Sequence, residues 1–529
     1  MLHLLPNEIW LEILGYLNQS DKCSLMLVSH AVYDKTVSSL YKNLYLNERP
    51  IVTIPEYPFF GNNWSTLAFS EPTRSSLKFQ SLYNTLSRNV ELCQLIHKVH
   101  CTWHLNRTLL TRFTRLICEH GSNVTYFENF LYIETFETLS KSALAPRLQS
   151  LDIVPHAKLP GNAYASYLPS VTTMANKFNW SNIKSLTIYV DVLMWFPNFV
   201  KLSEKLQLTE LCLNLRNDTF PGLDQITSNN SVVKFSDLFD VNTLETLSIL
   251  SWYEAETFDV YAKYGLSDLA SFTNLKEVSL LSIFYNEEFL VSLLSNLSAL
   301  ERLKLDFMFD HALSRNVINI LSNIRTLKYL DCKFDDLDEP ILNIVELDDF
   351  AIFELNQMCL CETCKTVYRD VILKKYFPNK NAFMIQNAND IHSRHFLNHI
   401  FKLYPIIPYF HMITTSPCIA YRSRSVEELA KKSNELLNDL FYEYESDTSD
   451  TKITADDIIS LYHCICHSMK RSFDFFLNLF PRLEILVIND VPTIVDQECG
   501  QKFMKPIFYS SGYKTNQVYE IVTDESLFD

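Results

Sequence analysis

Glycine is nearly missing from this chain: 529 residues hold eight, where the usual share of about 7% would give roughly 37. They stand at Gly15, Gly61, Gly121, Gly161, Gly222, Gly265, Gly500 and Gly512, no two closer than twelve positions. That spacing excludes every motif built on paired glycines: the G-x-G-x-x-G pyrophosphate cradle, the G-x-x-x-x-G-K-[ST] phosphate loop and the G-x-S-x-G nucleophile elbow. Long apolar runs are missing as well. Nowhere do 18 apolar residues follow one another, and the opening MLHLLPNEIW has neither a basic n-region nor an apolar h-region. Neither a membrane span nor a secretory leader is therefore expected. Positive charge is also short, with Lys+Arg 46 against Asp+Glu 62 and a net of −16. Such a balance repels phosphate backbones, and no local basic patch offsets it, so no nucleic-acid partner is expected.

What is there is apolar mass. At 47% hydrophobic and 20% charged residues the chain can bury a large core and is not a disordered protein. Its length exceeds what one core usually serves, so several structural units or one long array are expected. The thirteen cysteines are spread unevenly and do not look like a disulfide framework. Reduced thiols, and a cytoplasmic and/or nuclear location, follow as the expectation.

The first forty-six residues carry the most specific pattern. Leu4-Leu5-Pro6-Asn7-Glu8-Ile9 opens a helix in which Pro6 suits the first turn, where its missing N–H would have had no partner. Ile9, Ile13 and Leu17 recur at i+4 as an apolar stripe, with Trp10 and Leu14 beside it. Ser20-Asp21 can cap a second helix with Leu25 and Val28 on one face. A third helix ends near Leu40-Tyr41, and Leu44-Tyr45-Leu46 reads as a strand. Helices this short cannot close a core among themselves, so part of their apolar surface meets a partner or the next domain.

The order L-P-x-E-I, I-L-x-Y-L, a polar pair with Asp21, then Leu25, Val28-Ser29 and a closing Leu40-Tyr41 resembles the F-box, over residues 4 to 46. Lys22-Cys23 stand where that family usually has apolar residues, and Tyr33 replaces the usual Trp. The resemblance implies docking onto the Skp adaptor of SCF (cullin–RING) ubiquitin ligases. Carried over residue by residue, Leu5, Pro6, Ile9, Ile13, Leu17, Leu25 and Val28 would form or support the adaptor-binding face.

Residues 47 to 90, with Pro50, Pro55, Pro58 and Gly61-Asn62-Asn63, read as a connecting segment. Beyond them the pattern apolar-x-x-apolar-x-apolar recurs. It is seen at Ile96–Cys101, Leu148–Ile153, Ile183–Ile188, Leu208–Leu213, Leu244–Ile249, Leu275–Leu280, Leu300–Leu305, Leu327–Cys332, Leu347–Ile352 and Leu483–Ile488. From Ile183 to Leu327 successive starts are separated by 25, 36, 31, 25 and 27 residues. A strand plus a helix repeated at that interval is the logic of a solenoid, because one unit cannot bury its own apolar face. The chain here is similar to the irregular leucine-rich repeats of fungal F-box proteins. The asparagine that usually follows each strand is absent, however, with Met308 and Trp252 in its place. The expected fold class is α/β: a three-helix F-box (1–46), the connecting segment (47–90), and an irregular leucine-rich-repeat solenoid of parallel strands with helices (91–352). An insertion (353–482) follows, then a last repeat strand with a C-terminal cap (483–529). A mixed α/β domain with a few helix–strand units is the alternative.

The insertion holds the candidate metal ligands. Cys359-Leu360-Cys361-Glu362-Thr363-Cys364 brings thiolates toward one point, and His463-Cys464-Ile465-Cys466-His467 places two imidazoles at i+4 if helical. Four of Cys359, Cys361, Cys364, His463, Cys464, Cys466 and His467 would make a closed tetrahedral site for structural Zn(II), with no other cofactor required. Core cysteines with a solvated histidine pair are the alternative. His392, His395 and His399 form a further stripe without the acid that H-E-x-x-H needs, and Glu443–Asp450 is an acidic loop. Asp335, Asp336, Asp338 and Glu339 cluster beside a repeat strand. No Ser/His/Asp or Cys/His set assembles, so no catalytic centre is expected.

The resemblance implies a substrate-recognition subunit of an SCF-type ligase, with the Skp adaptor, the cullin–RING core and an unidentified protein substrate as partners. Its alternative is an F-box protein acting with the adaptor outside the ligase, for instance as a binding regulator of a small GTPase in membrane traffic. For the metal, elemental analysis of purified protein is expected to find about one zinc per chain, and less than about a tenth would rule the site out.

Overall fold

In the computed structural model, described residues are 5–17, 19–46, 65–66, 72–101, 106–128, 133–153, 176–189, 204–215, 234–251, 261, 264–307, 312–333, 345–347, 350–352, 362–367, 370–371, 474–488, 491–498, 501–511 and 517–521, with isolated positions between 431 and 460. They fall in two compact units, one built mainly on Met1–Leu300 and the other on Glu301–Asp306, Asp310–Pro408 and Pro417–Asp529.

The first unit opens with three helices, α1 (Asn7–Tyr16), α2 (Gln19–Met26) and α3 (His30–Lys42). The last runs straight into β1 (Asn43–Leu46), which lies in the sheet between β2 (Ser65–Thr66) and β3 (Lys98–Cys101), parallel to both. The helical module is thus fused to the sheet through its own third helix. In the stretch expected as a connection, α4 (Pro72–Arg88) is a full helix. Phe79 and Leu86 are buried along it, and Phe79 meets Phe113 of α5 (Arg107–His120) edge-on at 5.5 Å. The stretch's proline content had suggested a loop, but Pro50, Pro55 and Pro58 precede the helix and Pro72 opens it, leaving the interior free of them.

Parallel strands continue through β4 (Tyr126–Glu128), β5 (Ser150–Ile153), β6 (Ser185–Tyr189), β7 (Glu210–Leu215), β8 (Thr246–Ser251) and β9 (Glu277–Ile283). Helices α6 (Ile133–Ser140), α7 (Phe235–Leu238) and α8 (Glu287–Leu294) accompany them. The recurring apolar pattern goes inside. Ile183, Leu186 and Ile188, Leu208, Leu211 and Leu213, Leu244, Leu247 and Ile249, and Leu275, Val278 and Leu280 are each at most 1% exposed. Burial of one such side chain is worth about 1.5–3 kcal/mol. The period of two sends the residues between them to the other face. β4 escaped the pattern search because Asn129 stands at the third apolar place, after buried Val124 and Phe127.

Two braces hold the register. Along one runs a backbone chain in which the residue before each strand donates to its predecessor: Lys184 to Gln149 at 2.7 Å, Thr209 to Lys184 at 2.8 Å, Glu245 to Thr209 at 2.9 Å and Lys276 to Glu245 at 2.7 Å. The other is an asparagine brace, placed before the strand rather than after it. Asn123, Asn182 and Asn274 each precede a buried residue (Val124, Ile183, Leu275), and their amides donate to the carbonyls of Gln94, Pro146 and Asn242 in the preceding unit, at 2.6, 2.9 and 2.7 Å. Two glycines are demanded by the backbone. Gly265 has φ 61°, and a Cβ at Gly121 would lie 2.8 Å from the Ile117 carbonyl that ends α5.

The second unit has the same logic. β10 (Arg302–Phe307) pairs in parallel with β11 (Tyr329–Cys332), with α9 (Arg315–Leu321) between them, capped by Ser314 Oγ on the Val317 amide at 3.3 Å. The stretch Leu347–Ile352, expected as a repeat strand, is instead part of an antiparallel hairpin, β12 (Val345–Leu347) with β13 (Phe350–Ile352), in a sheet of its own. Helix α10 (Glu362–Val367) follows. β14 (Ile485–Ile488) then pairs in parallel with β11, Tyr329 opposite Ile485, so the chain leaves after residue 333 and returns to the neighbouring place. β15 (Val491–Glu498), β16 (Gln501–Ser511) and β17 (Gln517–Ile521) close this unit as an antiparallel meander.

Packing predicts the mutational response. Leu247→Ala should lower stability by about 2–5 kcal/mol in urea denaturation, while Asn182→Ala, removing one brace, should cost about 0.5–1.5 kcal/mol.

Candidate functional site

The three N-terminal helices are built around an indole. Trp10 and Leu14 of α1 and Val32 of α3 are at most 3% exposed, and Leu5, Leu17 and Leu25 pack against them half-buried. The i+4 spacing had put Ile9, Ile13 and Leu17 on one stripe with Trp10 beside it. The structure turns Trp10 and Leu14 inward and leaves Ile13 half-buried and Ile9 42% exposed. The indole has the largest apolar surface to hide, so it sets the helix's rotation.

Pro6 stands at the N-cap of α1, just ahead of the helix, with φ −52° and ψ 150°, and its carbonyl accepts from the Trp10 amide at 3.1 Å. It is exposed, with Ile9 following on the first turn. At the other end of the module α2 stops at Met26, and a turn forms from Leu27 N–H to the Ser24 carbonyl and from Val28 N–H to the Leu25 carbonyl, at 3.2 and 3.1 Å. Ser29 then adopts an extended backbone and its Oγ accepts from the Val32 amide at 3.3 Å, starting α3. This turn-and-cap junction leaves Leu27 88% and Val28 65% exposed, with Tyr33 in the first turn beyond. Ile9, Leu11, Leu27, Val28 and Tyr33 are five of the eight large apolar side chains exposed among the described residues. Such a density on so small a module marks a docking face.

Of the residues expected at that face, Pro6, Ile9 and Val28 reach solvent, Ile13 lies at the margin, and Leu5, Leu17 and Leu25 support from beneath. Sequence reading missed Leu11 and Leu27, 61% and 88% exposed. Leu11 lies off the i+4 stripe, and Leu27 belongs to a turn, where helical periodicity says nothing. Inside the module, Lys22 is buried and its ammonium pKa is lowered by that burial.

The second candidate surface is the sheet face opposite the leucines. In the first unit Tyr45 stacks on His100 with ring centroids 4.8 Å apart, and Asp152, Thr187, Cys212, Ser248 and Ser279 stand opposite one another on successive strands. Burial, then the Asp152 carboxylate, pushes the Cys212 thiol up to about 12; off the sheet, burial takes Cys93 to about 11, and burial with the Glu119 carboxylate takes Cys118 to about 11. In the second unit Lys304 and Asp331 form an ion pair at 3.8 Å, and the Tyr329 hydroxyl donates to Asp331 at 3.2 Å. In the first unit the row is polar and regular, with Asp152 and Ser279 buried and Thr187, Cys212 and Ser248 half-buried.

Cys359, Cys361, His463, Cys464, Cys466 and His467 lie outside the described residues; Cys364 sits in α10, but its side chain is outside them too. The His392–His399 stripe, the Glu443–Asp450 run and the Asp335–Glu339 cluster also fall outside. No helix among the described residues is long and apolar enough to cross a membrane.

Comparison with known proteins bears on the helical module first. A family profile described as F-box-like matches residues 2–47. Across its whole length the chain is 32% identical to F-box protein YDR131C of Saccharomyces cerevisiae, covering 100% of both chains. It is 26% identical to F-box protein DAS1 of the same organism, over 97% of this chain and 87% of that one.

The division between core and face can be tested by stability alone. Trp10→Ala should cost the helical module about 3–5 kcal/mol, whereas Leu27→Ser should stay within about 0.5 kcal/mol of the parent in denaturation followed by circular dichroism.

Proposed function

This chain belongs to the F-box protein family, and from that membership we propose that it is the substrate-recognition subunit of an SCF-type ubiquitin ligase. F-box proteins in general are SCF substrate-recognition adaptors and are typically non-catalytic, and an F-box domain implies binding to the Skp adaptor. The observation that carries the reading is the exposed apolar set Ile9, Leu11, Leu27, Val28 and Tyr33 on the module that the family profile matches. An apolar face of this kind gains affinity by shedding water against a complementary groove.

In this reading the polar strand face receives the substrate and the cullin–RING core brings a ubiquitin-charged enzyme to it. The protein's contribution is proximity: it raises the effective concentration of substrate lysines and leaves the bond chemistry to its partners. The same reading locates the protein in the cytoplasm or nucleus. Its described cysteines are free thiols, which suits a reducing compartment. A structural zinc drawn from the Cys359–Cys364 and His463–His467 clusters remains part of the proposal as a fold-stabilising group.

Pro6→Ala combined with Ile9→Ala should abolish capture of the Skp adaptor while leaving the circular dichroism spectrum unchanged; undiminished capture would sink the assignment. Immunoprecipitation with mass spectrometry should recover cullin and RING subunits together with a protein that accumulates on deletion. Recovery of the adaptor and a small GTPase without cullin would move the function outside the ligase.

A further inference from the structure

We infer that Lys35, on the second turn of α3, is a positioning residue for adaptor binding: it holds the Leu5–Pro6 backbone in the place from which Pro6 and Ile9 are presented. The inference rests on the reading above and concerns a residue that neither motif nor periodicity singled out.

Three observations converge on it. The Lys35 ammonium donates to the Leu5 carbonyl at 3.1 Å, across thirty positions of sequence. The same Nζ lies 5.6 Å from the centroid of the Trp10 ring, the centre of the module's core. Finally, α1 has no side-chain cap of its own, since the N-cap is Pro6, which has neither a polar side chain nor an N–H. No side-chain cap therefore fixes the backbone that enters α1, and the contact from α3 adds a polar tether to the packing of Leu5 on Trp10 and Leu14.

The chemistry suits a tether rather than a helix stabiliser. A cation beside the N-terminal end of a helix opposes the helix dipole, so stability of α1 alone would not select it. A charge-assisted bond to a backbone carbonyl is strong and directional, and the indole face accepts the same cation. One ammonium thus reads two positions at once, the backbone at Leu5 and the ring of Trp10. Exposed Pro6 lies one residue beyond the first and Ile9 one residue before the second. Loss of the tether frees the segment bearing Pro6 and leaves Leu27, Val28 and Tyr33, at the α2–α3 junction, where they are.

The test is a double-mutant cycle in the full-length chain, with purified Skp adaptor as the titrant. Lys35→Met, which keeps the stem over Trp10 but not the donor, should weaken binding about tenfold, and Lys35→Arg should stay within about twofold of the parent. With Pro6→Ala already present, Lys35→Met should add little, because the tether acts through the residue that has been removed. Without adaptor, hydrogen exchange in Lys35→Met should quicken at the Trp10 and Leu11 amides, the first that α1 protects, and not in those of α2 and α3. Unchanged affinity, full additivity with Pro6→Ala, or exchange quickened through all three helices would overturn the proposal. A parent chain that does not bind the adaptor would refute the proposed function instead.

Discussion

Leu186, Leu211, Leu247 and Val278 stand opposite one another on four adjoining parallel strands, each at most 1% exposed, and no strand could bury its own member of that row alone. Each is covered by its neighbours on both sides, so burial is a property of the stack and not of the unit. The remaining features of the first unit follow from this arrangement. The backbone chain from Gln149 to Lys276 keeps the strands in step, so that leucine meets leucine. The asparagine amides do the same at the preceding turn. The opposite face carries polar groups instead, the Thr187, Ser248 and Ser279 hydroxyls, the Cys212 thiol and the Asp152 carboxylate.

Charge has a smaller part in holding the fold. Glu245 and Lys276 pair at 2.7 Å, and Glu301 and Lys328 at 2.8 Å, each on the residues that precede a strand. All four side chains are about half exposed, where such pairs contribute at most about 1 kcal/mol. They reinforce a register that leucines and backbone have already set. Lys304 and Asp331 differ, being about 10% exposed and joined by the Tyr329 hydroxyl. Losing one partner there would leave a charge in a poorly hydrated place, so that pair matters more for what it forbids than for what it adds.

The docking module reverses the economy of the sheet. Its core is a single indole with a few aliphatic neighbours, and its most apolar residues face outward at Leu11, Leu27 and Val28. A module this small keeps its shape through its attachments. α3 flows into β1, whose neighbours β2 and β3 hold it in the sheet, and the His97 amide donates to the Lys42 carbonyl at 2.8 Å where helix becomes strand. The docking face is thereby carried on the sheet itself rather than on a tether, and its orientation within the first unit is set by hydrogen bonds.

By itself the sequence determined the kinds of element and the residues they hide. The L-x-x-L-x-L spacing named the buried side chains of β6 through β9 because strand periodicity is a local property, readable six residues at a time. The order Leu5-Pro6 to Leu40-Tyr41 likewise placed three helices, and it named Ile9 and Val28 among the exposed apolar residues. What only the tertiary structure decided is which positions are neighbours. Asparagine was sought after the strands and is found before them, because the carbonyl it satisfies belongs to the preceding unit. β14 returns to β11 across more than a hundred residues, and Leu347–Ile352 forms a hairpin instead of joining the row. Lys35 meets Leu5 and Trp10, a contact that no spacing rule could announce. Periodicity records how a segment faces, and a face acquires a partner only when distant segments come together.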